Sequence, residues 1–130
     1  MIRSVRVLLP AVALVVALPL LAGASRLPHL RLKASFPGKD TTLTSSPDAV
    51  KLWLSEPADL PATKISVTDA NGAAVPVAKL TRGAKAEDPV VGAFTTPPGN
   101  GKYLVTWKAM SKDGHVVDGK FSFTVQKGSH

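Results

Sequence analysis

The stretch "GKYLVTWKAM" (101–110) alternates between polar and apolar residues, with Tyr103, Val105 and Trp107 falling on one side of an extended chain. A helix repeats its apolar positions every three to four residues, so a period of two predicts a strand with one face buried. "GKFSFTVQ" (119–126) does the same with Phe121, Phe123 and Val125. Further runs of this kind are "HLRLKA" (29–34), "AVKLWLS" (49–55) with Val50, Leu52 and Leu54 opposite Trp53, and the shorter "VVGAFTT" (90–96). "KISVTD" (64–69) leads into Asn71-Gly72, a two-residue hairpin signal, and "AVPVAKL" (74–80) returns, with Pro76 marking an edge strand. "TRGAKAEDP" (81–89) reads as an exposed loop. About seven short strands with Pro, Gly, Asn and Asp between them, and no helical window, predict an all-β antiparallel sandwich or Greek-key barrel. Tyr103, Trp107, Phe121 and Phe123 alternate as core residues do.

The first residues follow a different rule. "MIRSVRVLLPAVALVVALPLLAGAS" carries Arg3 and Arg6, then an uncharged apolar run, then Ala22-Gly23-Ala24. That layout predicts a secretory signal over residues 1–24, cleaved before Ser25, and one domain over residues 25–130. An uncleaved anchor is the alternative. Against it, the run from Val7 to Ala24 is near the lower limit for a span and is broken by Pro10 and Pro19. Loss of Arg3 and Arg6 lowers the net charge from +7 to near +5. The remaining basic residues are dispersed over several strands and loops, and two tryptophans and one tyrosine supply little stacking surface. A solvated basic surface is expected, without nucleic-acid binding.

There is no cysteine. An exported chain without disulfides is held by packing alone, and thiolate nucleophiles, zinc–thiolate sites, iron–sulfur clusters and blue-copper centres are excluded. The histidines are three, and His130 lies in the terminal "QKGSH", which carries no functional weight.

"SKDGHVVDGKFSFTV" (111–125) holds two Asp-Gly pairs, Asp113-Gly114 and Asp118-Gly119, with His115 between them. One Asp-Gly closes a hairpin, so two predict a loop over 111–119 longer than a tight turn. Asp113 and His115 can face one metal ion if the backbone between them is extended, and Gly114 removes a Cβ that would crowd it. The spacing equally suits an ordinary turn carrying a solvated histidine.

Three stretches in this order resemble the CopC family of periplasmic copper-binding proteins. They are "HLRLKASFPGKD" (29–40), "KLWLSEPAD" (51–59) and "GKYLVTWKAMSKDGHVVDGKFSFTV" (101–125). The third is close to the family's Y-x-V-x-W-x-x-x-S-x-D-x-H-x-x-x-G-x-x-x-F-x-V. The resemblance implies a Greek-key β-sandwich or barrel of Ig-like or cupredoxin-like arrangement. It also implies a site for one Cu(II) ion at His29, Asp113 and His115, with Glu56 beside it. Imidazole nitrogen and carboxylate oxygen in tetragonal geometry suit Cu(II) well. In much of the family the first histidine is the mature amino terminus and lends its α-amine. Cleavage after Ala24 leaves "SRLP" ahead of His29, which removes that amine from the ligand set and counts against a histidine-brace oxidase. The family's Met-rich Cu(I) site is missing, since the only methionines are Met1 and Met110.

The expectation is thus a monomeric periplasmic Cu(II) carrier or buffer, not an enzyme, that passes copper to an inner-membrane copper transport protein. The competing expectation is an Ig-like structural or interaction domain that binds no metal.

Overall fold

The computed structural model describes Ser4 and residues 30–128. The expected signal segment, its cleavage site, His29 and His130 lie outside the described residues. Strands β1 (Leu32–Phe36), β3 (Ala49–Leu54), β7 (Val90–Ala93) and β6 (Thr81–Arg82) form one sheet in the order β1-β3-β7-β6. The other holds β2 (Thr41–Leu43), β9 (Val116–Val125), β8 (Gly101–Met110), β4 (Lys64–Thr68) and β5 (Ala74–Val75) in the order β2-β9-β8-β4-β5. The chain folds as a β-sandwich.

Alternation dictates where the core lies. Tyr103, Val105, Trp107 and Ala109 of β8 and Phe121, Phe123 and Val125 of β9 are buried, and they meet Val50 and Leu52 of β3 from the facing sheet. Both β3 side chains are fully buried. Tyr103 stacks on Phe123 with ring centroids 5.2 Å apart. Its hydroxyl donates 2.7 Å to the Gly99 carbonyl, so one ring fills the core and fixes the entry to β8.

The structure departs from the expected boundaries at several points. β9 begins at Val116 and pairs continuously with β8 from Met110↔Val116 to Gly101↔Val125. Asp118-Gly119 is therefore inside a strand and turns nothing, and the expected long loop shrinks to residues 111–115. Gly119 lies directly across from Trp107, and a Cβ there would come within 2.9 Å of the indole ring. The glycine makes room for the tryptophan.

Asn71-Gly72 forms a three-residue loop instead of a two-residue one. The Gly72 N–H donates to the Asp69 carbonyl and the Asp69 N–H to the Ala73 carbonyl. A two-residue type I′ turn needs positive φ at both central positions, whereas here Gly72 has φ 81° and Asn71 does not share the left-handed conformation. Of "AVPVAKL", Ala74–Val75 joins the sheet edge, as expected for a strand ending at a proline without an N–H. Val77 makes a single isolated bridge to Phe94, the residue just past the end of β7. Thr81–Arg82, expected in a loop, pairs with β7. β2 was not expected, and it runs parallel to β9.

Candidate metal centre

Ser111 to His115 close the β8–β9 hairpin with a tight turn. The Ser111 N–H donates 2.8 Å to the His115 carbonyl, and the Gly114 N–H donates 3.0 Å to the Ser111 carbonyl. Gly114 adopts φ 90°, the left-handed conformation that ends such three-residue loops.

This backbone brings Asp113 and His115 together. His115 Nδ1 lies 2.9 Å from Asp113 Oδ2, with the two side chains 64% and 52% exposed. Asp113 Oδ1 accepts from the Ser111 hydroxyl and, at 3.3 Å, from the His115 N–H. The Ser111 hydroxyl bond, then the bonds from the His115 side chain and backbone, hold the Asp113 carboxyl down to about 2. The carboxylate is thus an anionic donor throughout the neutral range. Ser111 is buried. Sequence reasoning assigned it no role.

The bite of the pair suits a metal ion. Two donors about 2.0 Å from one ion and at right angles to each other lie about 2.8 Å apart. The observed 2.9 Å between Nδ1 and Oδ2 is close to that separation. The same 2.9 Å is an ordinary hydrogen-bond length, and an ion held by both atoms would sit off the line joining them, so each side chain must turn to aim a lone pair at it.

The third expected ligand, His29, lies outside the described residues, but the position of the chain just after it is defined. Leu30 is buried in the core. Arg31 and Ser55 bond reciprocally: the Ser55 N–H donates 2.8 Å to the Arg31 carbonyl, and the Arg31 N–H donates 2.9 Å to the Ser55 hydroxyl. From Ser55 the chain crosses to the other sheet, and the Asp59 N–H donates 2.8 Å to the Met110 carbonyl. Leu30 therefore enters the sandwich at the end from which the 111–115 turn projects. Glu56 is half-buried and lines a narrow cleft with Arg82 and Asp88. Among the described residues no group of three His, Asp or Glu side chains gathers around one point.

Fold and turn together define a β-sandwich protein that carries an imidazole–carboxylate pair at one end. Residues 32–126 match the CopC domain. Copper resistance protein C of Escherichia coli is 31% identical over 109 residues, covering 78% of this chain and 85% of that protein. The crystal structure of CopC from Methylosinus trichosporium OB3b superimposes with a TM-score of 0.71 at 26% identity, covering 78% of this chain and 98% of that one. PcoC, a methionine-rich copper resistance protein from Escherichia coli, superimposes with a TM-score of 0.66 at 28% identity, covering 75% and 99%. The chain belongs to the CopC family.

Proposed function

We propose that this protein binds one Cu(II) ion through His115 Nδ1, an Asp113 carboxylate oxygen and His29, and serves copper resistance as an extracytoplasmic carrier or buffer. The observation that carries the reading is the 2.9 Å separation of an exposed imidazole nitrogen and a carboxylate ionised throughout the neutral range, set by a tight turn. Membership in a family whose relatives are named copper resistance proteins supplies the metal. Nitrogen and oxygen donors favour Cu(II) over Cu(I). The relative PcoC is a methionine-rich protein, whereas this chain has two methionines, one of them in the expected signal. In this reading residues 1–24 direct export to the periplasm and are removed, the protein is a monomer that performs no catalysis, and an inner-membrane transport protein receives the copper.

Cu(II) titration of the exported protein, followed by electron spin resonance, tests the site. One equivalent should give a tetragonal signal with nitrogen coupling. His115→Ala should weaken binding most, since it removes the imidazole from the preset pair. Asp113→Asn should weaken it less, because it removes charge but keeps an oxygen donor. Acid should release the ion, because imidazole must be neutral to bind it. A parent protein with no such signal, or a His29→Ala, His115→Ala double variant that binds as tightly, refutes the assignment.

A further inference from the structure

The five-stranded sheet turns one face to the core, and its other face has no partner among the described residues. On β4, β8 and β9 that outer face presents Lys64, Lys102, Lys108 and Lys120 against Asp118, and the Asp40 carboxylate reaches it by accepting from the Ser122 hydroxyl. Lys108 stands directly across from Lys64 on one neighbouring strand and from Asp118 on the other, although among the described residues no Lys–Asp contact closes to within 4 Å. Among the described residues the one ion pair is His115–Asp113, so none of these lysines is neutralised by a carboxylate within 4 Å. Between the lysines lie Ser66, Thr106, Ser122 and Thr124, along with two exposed apolar side chains, Leu104 at 39% and Val116 at 51%.

We propose that this face docks on an anionic phospholipid bilayer. Positive charge spread over a sheet matches a surface of many mobile phosphates better than a single ligand. Each lysine near such a surface adds to the attraction, while its long stem and the flanking Leu104 and Val116 reach the headgroup boundary. A protein partner is less well matched. Protein interfaces are depleted in lysine and anchored by Trp, Tyr or Arg, none of which faces outward on these three strands. No helix among the described residues is long and apolar enough to cross a membrane, so the contact is with the bilayer surface. The face runs up to the Met110↔Val116 pair, beyond which the chain continues into the 111–115 turn. Docking therefore brings Asp113 and His115 to the membrane, and it requires no bound copper.

Vesicle co-sedimentation of the metal-free exported protein tests this. Phosphatidylcholine vesicles containing phosphatidylglycerol should bind it at low salt, while phosphatidylcholine alone should not. The Lys64→Gln, Lys108→Gln, Lys120→Gln variant should lose roughly fivefold per lysine, on the order of a hundredfold in all. The control variant Lys33→Gln, Lys79→Gln, Lys85→Gln has the same net charge and should bind nearly as the parent does. Because all six side chains are exposed, both variants should fold, as a thermal melt will show. Equal loss in the two variants would mean attraction by net charge alone and overturns the docking face. A parent that ignores the anionic vesicles but is held on immobilised polyglutamate through Lys64, Lys108 and Lys120 overturns the lipid assignment in favour of an acidic protein.

Discussion

Gly119→Ala is a one-carbon change whose cost can be worked from the packing. The added Cβ would lie 2.9 Å from Cζ2 and Nε1 of Trp107 and 3.0 Å from Cε2. Ordinary contact between such atoms begins near 3.5 Å, so three atoms of a rigid ring overlap by about 0.5 Å. Trp107 is 6% exposed and sits among Val105, Phe121 and other core residues, which leaves the indole little room to withdraw. Overpacking of this kind costs about 1–3 kcal/mol. Replacing a strand glycine by alanine offsets roughly 0.5–1 kcal/mol of that through the unfolded chain. The expected net loss is about 1–2 kcal/mol. Trp107→Ala should cost about 3–5 kcal/mol as a large core deletion. In the double variant the clash has no ring to act on, so the two losses should fall short of additive by about 1 kcal/mol or more. Urea unfolding followed by far-ultraviolet circular dichroism measures all three without depending on Trp107 fluorescence. A Gly119→Ala protein as stable as the parent, or strictly additive losses, would refute the view that this glycine exists to seat the tryptophan.

Other outcomes can be checked more briefly. The Asp113 carboxyl should titrate near 2 by nuclear magnetic resonance, since its hydrogen bonds favour the ionised form. Its folded value lies below the unfolded one near ~4, so its stabilising effect is fully present above that pH and is lost as pH falls through about 2. A midpoint near the unfolded value would contradict the Ser111 bond. Gly114→Ala, forced to hold φ 90° with a Cβ, should cost about 1–2 kcal/mol in a urea melt and loosen the hairpin tip, although nothing lies within 4 Å of the new atom. Mass spectrometry of the exported protein should find an amino terminus near Ser25. A terminus at His29 would instead add an amine donor to the site.

How far the sequence predicted this protein follows from the range of each signal. The faces of β8, β9 and β3 were legible because alternation is local and the buried side chains are large: Trp107, Phe121, Phe123 and Leu52 all lie where period two puts them. Asp118-Gly119 was misread for the same reason. The dipeptide is a turn signal over two residues, while the reason for its glycine, Trp107, lies on the neighbouring strand. β2 was invisible because Thr41–Leu43 is too short to show a period. It is held instead by its pairing with β9, preceded by the Asp40 N–H donating 2.7 Å to the Ser122 carbonyl, with Asp40 itself at φ 56°. The Asp113–His115 pair was anticipated from residue types and spacing, but by way of an extended backbone, whereas a tight turn with Gly114 at φ 90° is what brings the two together. The contribution of Ser111 required the folded turn, since neither its burial nor the direction of its hydroxyl can be read from a loop sequence.

The turn at 111–115 has a twin. Asp69 to Ala73 follow the same path, with equivalent N–H to carbonyl bonds and Gly72 at φ 81° where the other turn has Gly114 at φ 90°. β8 runs antiparallel to β4, so the two turns cap opposite ends of one sheet. In the twin, Asp69 Oδ1 accepts the N–H groups of Asn71 and Ala73, and its carboxylate is occupied in holding the backbone. Where Asp113 and His115 stand in one turn, Asn71 and Ala73 stand in the other. The molecule thus contains its own blank: one backbone device used twice, once as plain architecture and once carrying an exposed imidazole–carboxylate pair. The pair at the tip is separable from the scaffold below it, and a graft of Ser, Asp and His at positions 69, 71 and 73 should place a second imidazole–carboxylate pair at the far end of the sheet without changing a strand.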